Sequence, residues 1–152
     1  MRPLPLPIAV LLVALTGIAA CSKQAPVYPF VEVVAGENGG EVRIPTADVS
    51  DGDAHFFTCR LGDKNINFFV RTDADGRLLT HFDACYNCYK YRMGYVQEDR
   101  QVVCLACRIA YDLNESEWDW VGPCVPVSLK SRIEEGMLVI TARKLESGAR
   151  LF

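Results

Sequence analysis

From residue 41 onward the apolar positions recur at every second residue, the period of a strand with one face buried. Val42 and Ile44 alternate with Glu41 and Arg43; His55, Phe57, Cys59 and Leu61 share one face of the 54–61 run; Ile66, Phe68 and Val70 share a face of the next. Between these runs lie Gly62-Asp63-Lys64-Asn65 and Asp73-Ala74-Asp75-Gly76, whose Gly and Asp residues accept the positive φ of tight turns. Residues 77–83 predict a third strand that runs straight into Cys85. Residues 94–97 and 101–105 predict a hairpin closed by Glu98-Asp99-Arg100, and its second strand runs into Cys104. Ile109, Tyr111 and Leu113 alternate into an acidic loop; Val125, Val127 and Leu129 predict another strand, and residues 138–141 a last one after a Glu134-Glu135-Gly136 turn. No window of ten residues keeps a helical period, so helix is expected only as a short turn near Ser116 or Ser131. The expected fold is mainly β, a small antiparallel domain.

The N-terminal pattern differs. Met1-Arg2 precedes an apolar stretch at residues 8–15 that is too short to span a bilayer, as in an export signal. Ile18-Ala19-Ala20-Cys21 resembles the lipobox of bacterial lipoproteins, which implies a signal peptide at 1–20 and lipidation of Cys21; an ordinary secretory peptide cut near Ala20 is the alternative. Residues 21–40, with Pro26 and Pro29 and a Gly36-Glu37-Asn38-Gly39-Gly40 turn, read as a lipidated tether, leaving 41–152 as the domain. Acyl chains on Cys21 would be the membrane link. The expected location is extracytoplasmic, facing the periplasm, and Ser22 after the cysteine resembles lipoproteins of the outer membrane.

Composition narrows the function classes. At 152 residues and half hydrophobic, the chain suits one packed domain rather than a disordered one. A formal charge of −3 lacks the basic footprint of a nucleic-acid binder. No nucleophile–base pair and no Gly-rich phosphate loop stands out, so a redox carrier or binding module is expected rather than a catalyst.

The chemistry lies in the cysteines. Cys85-Tyr86-Asn87-Cys88 and Cys104-Leu105-Ala106-Cys107 each follow a strand, and two such C-x-x-C knuckles can aim four thiolates at one point. The spacing suits a zinc ribbon, a rubredoxin-like iron or an iron-sulfur cluster, and sulfur also suits Cu(I). Outside the cytoplasm, disulfides are the structural alternative. Cys124, in Gly122-Pro123-Cys124-Val125-Pro126, is a candidate fifth ligand or redox partner, whereas Cys59 sits among phenylalanines as a buried hydrophobe. His81, four residues before Cys85, is a candidate ligand or supporting residue, with a purely structural role as the alternative; His55 reads as structural. Tyr86, Tyr89, Tyr91 and Tyr95 surround the first knuckle, where they can shield a metal or simply pack the core.

With these residues in view, residues 54–152 resemble the FtrD-like membrane iron-sulfur protein family. The likeness rests on Ile66-Asn67-Phe68-Phe69-Val70 with Asp75-Gly76, on Phe82-Asp83-Ala84 before the first knuckle, on Gly94-Tyr95-Val96-Gln97-Glu98, on Val103 before the second knuckle, and on Gly122-Pro123-Cys124-Val125-Pro126-Val127. The resemblance implies an iron-sulfur centre at Cys85, Cys88, Cys104, Cys107 and Cys124, electron transfer, and an iron permease or periplasmic redox and metal proteins as partners. Tyr89 stands where many members have Gly, and a lipobox replaces their transmembrane helices. The two metal loops and the Gly-Pro-Cys-Val-Pro stretch are also similar to Rieske proteins, with cysteines in place of histidines. Mononuclear iron and zinc remain as alternative cofactors; a zinc or disulfide lipoprotein without redox duty, or a Cu(I) or Fe(II) delivery protein, remain as alternative functions.

Overall fold

The computed structural model describes residues 30–35 and 40–152; the expected leader, Cys21 and most of the expected tether lie outside them. Among the described residues no helix is long and apolar enough to cross a membrane.

A central sheet carries the molecule. Strands β3 (His55–Leu61), β4 (Lys64–Thr72) and β5 (Leu78–Phe82) form the expected antiparallel meander, in register Phe57↔Phe68↔Phe82. The turns hold where glycine was expected to permit them, Gly62 and Gly76 both having positive φ. Asp73 anchors the second turn: its carboxylate accepts from Asp75 and Arg77 backbone N–H groups and from the Arg77 guanidinium at 2.7 Å.

β4 is buried over nearly its whole length because both faces of this sheet are covered. On one face Phe57, Cys59, Ile66, Phe68, Val70 and Phe82 pack against Val42 and Ile44 of β2 (Glu41–Pro45) and Leu138 and Ile140 of β10 (Met137–Thr141). β9 (Arg132–Glu134) completes that second sheet, in the order β2-β10-β9. On the other face Phe56 and Phe69 pack against the third sheet, β6 (Tyr95–Glu98), β7 (Gln101–Cys104) and β8 (Ala110–Asp112). Three layers of small sheets result, with Cys85, Cys88, Cys104 and Cys124 between the central and third layers and Cys59 on the other face.

Several details depart from the sequence expectation. β1 (Val31–Val33) falls in the stretch assigned to the tether, yet it pairs in parallel with β3, Val31 opposite Phe57. Residues 125–129 do not form a named strand; they lie along β5 through isolated hydrogen bonds and one bridge, His81↔Ser128. A 3-10 turn at Glu117–Asp119 is capped by Ser116 as expected, but Ser131 leads into β9. The α-helical turn α1 (Ala142–Glu146), the single one among the described residues, follows β10 and seats Leu145 in the core, and Gly148 beyond it packs directly on the Phe82 ring.

That contact predicts a stability difference. A Cβ at Gly148 would lie 2.3 Å from the buried Phe82 ring, whereas one at Gly76 meets nothing, at a φ of +76°. Gly148→Ala should cost about 1–3 kcal/mol from overpacking, and Gly76→Ala about 1–2 kcal/mol from the left-handed backbone alone. Urea titration should show both losses; only the first should shrink when Phe82→Leu is added, since only there does a ring compete for the space.

Candidate metal centre

β5 leads through Asp83 and Ala84 into Cys85, and β7 ends on Cys104. In both knuckles the chain turns back the same way: the amide four residues after the first cysteine donates to that cysteine's carbonyl, Tyr89 to Cys85 at 3.0 Å and Arg108 to Cys104 at 2.8 Å. The Cys88 N–H also donates to Cys85 Sγ at 3.2 Å, the type of bond that favours thiolate. Leu105 N–H donates to the Gly94 carbonyl and so ties the two knuckles together. Gly94 is required here twice over: its φ is +68°, and a Cβ would lie 2.2 Å from Asp83 Oδ2.

Cys124 arrives on a third segment. Val127 brackets the end of β5, accepting from Phe82 N–H at 2.8 Å and donating its own N–H to Ala84 O at 2.9 Å, and Leu129 N–H donates to Thr80 O. Asn87 donates from its side chain to the Pro123 carbonyl, fastening the first knuckle to this loop. Tyr95 O–H donates to the Cys124 carbonyl at 2.6 Å and also reaches Cys124 Sγ at 3.9 Å.

The sulfurs of Cys85, Cys88, Cys104 and Cys124 all lie within 4.8 Å of one another. Cys124 is 2.7 Å from Cys85, 3.4 Å from Cys104 and 3.5 Å from Cys88, and is buried. All six described cysteines are free, which leaves the disulfide alternative without a bond among them. Cys107 is exposed and outside the four-sulfur group, although its thiol interacts with Cys88, Cys104 and Cys124. Cys59 is fully buried in the opposite core, and burial pushes its thiol up.

Thiols packed this closely cannot all ionise unaided. Burial and then the neighbouring thiols push Cys124 far up, and Cys88 is pushed up to about 12 chiefly by burial. Cys85 ends below the ordinary thiol range although burial opposes it, because Cys124 and the Cys88 N–H hydrogen-bond to it. A cation resolves the conflict by accepting several thiolates at once. The donor set fits one: four soft sulfurs, mostly buried, all within 4.8 Å of one another, a spread that brackets the roughly 3.8 Å edge of a tetrahedron with metal–sulfur bonds of about 2.3 Å. Beside them a cavity of about 440 Å³ opens between both knuckles, Asp83, Tyr95 and Phe152. Lys64 Nζ holds its far wall, donating to the Ala149 and Phe152 carbonyls.

His81 is not brought to the sulfurs. Its fully buried ring stacks 5.2 Å from Phe69 and 5.3 Å from Trp120, and burial, then Arg71, lowers its pKa to about 3, so it is neutral. His55 instead pairs at the surface with Asp51 at 2.7 Å. Of the four tyrosines around the first knuckle Tyr95 is buried, whereas Tyr86, Tyr89 and Tyr91 face solvent. The sequence marked Asp83 only as part of the Phe82-Asp83-Ala84 motif and gave it no role; its carboxylate accepts from Tyr95 N–H at 2.7 Å and burial raises its pKa to about 8. A lone acid before a knuckle carries no pattern that would have assigned one.

Removing the Tyr95 hydroxyl isolates these effects. Tyr95→Phe leaves the Cys124 carbonyl unpaired in the core and should cost about 1–3 kcal/mol in urea unfolding. Tyr86→Phe, at a side chain 60% exposed, should stay within about 0.5 kcal/mol of wild type.

The family model described as "Membrane iron-sulfur containing protein FtrD-like" matches residues 49–152, a span that holds the whole central meander, both knuckles and the Cys124 loop. Comparison with curated proteins and with solved structures gave no match. The chain belongs to the FtrD-like membrane iron-sulfur protein family.

Proposed function

We propose that this domain is a lipid-anchored, extracytoplasmic electron carrier that holds iron on cysteine sulfurs and serves ferrous-iron uptake or envelope redox chemistry. The observation that carries the reading is the convergence of Cys85, Cys88, Cys104 and Cys124 within 4.8 Å, in a member of a family named for an iron-sulfur centre. Sulfur-bound iron supplies one-electron chemistry, and all-cysteine ligation favours a lower potential than a Rieske centre with its histidines. The protein's own part is to hold the sulfurs, donate to them and limit water. Cys88 N–H and Tyr95 O–H are the donors, and Trp120, Phe69 and Tyr111 pack the closed side. Cys107 and Cys88 are the sulfurs toward solvent.

A cluster of several irons needs more width than one ion. The cavity alongside the knuckles offers it, and Cys107 offers a fifth sulfur. The present spacing, which suits a single ion, favours mononuclear iron or structural zinc as the second reading.

Anaerobic purification followed by metal and acid-labile sulfide analysis, with EPR of the reduced and oxidised protein, separates these readings. Iron with sulfide and a reversible EPR signal is expected; stoichiometric zinc without iron overturns the proposal. Cys124→Ser should lose most of the bound iron, whereas Cys107→Ser should retain the larger share, because only the first removes a sulfur from the buried group. Equal retention in the two variants would contradict that ranking.

A further inference from the structure

The acidic residues are distributed unevenly with respect to the sulfurs. The chain as a whole has more Asp and Glu (19) than Lys and Arg (16). Yet the three cysteine-bearing segments, residues 84–97, 100–111 and 120–133, contain no acidic residue, and they carry Lys90, Arg92, Arg100, Arg108, Lys130 and Arg132. Around the first knuckle this asymmetry reaches the surface. Lys90, Arg92 and Arg150 are exposed and form no ion pair among the described residues, while Arg43, Arg77, Arg100, Arg108 and Arg132 are each paired with a carboxylate. Lys90 Nζ stands 5.2 Å from the Tyr91 ring and the Arg150 guanidinium 5.5 Å from the Tyr86 ring.

The same short stretch exposes apolar surface. Tyr86, Tyr89, Tyr91 and Met93 are 40–60% exposed. Val121, beside the Cys124 loop, is 76% exposed. Grouped aromatic and Met side chains with unpaired Arg and Lys are the composition of a protein-binding face, whereas isolated exposed hydrophobics need no explanation. Tyr89 and Arg92 line the cavity that Cys85, Cys88 and Cys104 also line, so this face surrounds the access to the sulfurs. Asp63 and the buried Asp83 are the acids that line the same cavity.

We propose that the rim formed by Tyr86, Tyr89, Lys90, Tyr91, Arg92 and Arg150 is the docking face for a small redox protein whose own contact surface is acidic. Charge complementarity selects that occupant, because the exposed, unpaired cations steer an acidic partner to the rim before contact. The tyrosines and Met93 then supply the apolar centre. The partner's redox role rests on the function proposed above; the docking itself does not, since it involves only surface side chains.

The test uses the full metal-loaded chain and two probes of opposite charge, an acidic plant-type ferredoxin and a basic c-type cytochrome, with binding followed by NMR shift changes at low and moderate salt. Shifts confined to residues 86–93 and Arg150 with the ferredoxin, weakened about tenfold from 20 to 200 mM salt, are expected. Lys90→Glu/Arg92→Glu should abolish them, and Arg143→Glu/Lys144→Glu, an equal charge change on α1, should not. Preference for the cytochrome, or ferredoxin binding unaffected by the rim variant, overturns the proposal. So does attachment of the rim to phosphatidylglycerol vesicles in place of either protein, which would make it a membrane surface. A zinc-loaded sample that still binds the ferredoxin separates failure of the redox reading from failure of the docking reading.

Discussion

Main-chain hydrogen bonds between β5 and residues 127–129 set the position of Cys124, and much of the molecule follows from that alignment. β5 delivers Cys85 from one side, and the segment bound along it delivers Cys124 to within 2.7 Å of the same sulfur. Such closeness is unfavourable for free thiols, which repel on ionising and lose water on burial. The β framework supplies the force that holds them: two buried clusters, one on each face of the central sheet, leave β4 and β5 little freedom to relax. A site of this kind is preorganised for a cation, and binding one stabilises the fold that built it.

The closed side of the site has its own cost. Arg71 is fully buried; its Nη1 donates to the Leu113 and Glu115 carbonyls, but Nε and Nη2 have no hydrogen-bond partner. Its guanidinium lies 3.8 Å from the Trp120 ring centroid, and Trp120 in turn stacks with His81 and Tyr111. Burial lowers the Arg71 pKa to about 10, which still leaves it charged at neutral pH. Cation–π attraction in a desolvated setting, worth about 2 kcal/mol, offsets part of the penalty. His81 is neutral in this setting, because burial and the neighbouring Arg71 cation both disfavour its charged form.

The sequence made the central meander and the third-sheet hairpin legible because alternation and turn residues coincide at each boundary. Both knuckles were legible for the same reason, each following a strand. Three features were not. β1 is three residues long and pairs in parallel, so neither period nor a hairpin turn announces it. Residues 125–129 do alternate, but two prolines in residues 123–126 remove amide donors, and pairing survives only as separate bonds. The difference between Cys107 and Cys124 was also hidden. Motif spacing ranks Cys107 first, whereas burial ranks Cys124 first, and burial depends on a tertiary contact forty residues away in the chain. His81 shows the converse: nearness in sequence to Cys85 suggested a ligand, but the ring is stacked between Phe69 and Trp120 on that same side of the sheet.

The direction of β1 has a consequence for orientation. β1 runs parallel to β3, with Val31 opposite Phe57 and Val33 opposite Cys59, so it advances toward the end of the central sheet where Asn67 and Asp83 lead to the knuckles. Phe30, packed edge-on against Phe56, marks where the chain joins the sheet, and its heading is toward the sulfurs. By pairing along β3, this short strand covers an edge of the central sheet whose free amides and carbonyls would otherwise offer themselves to another chain.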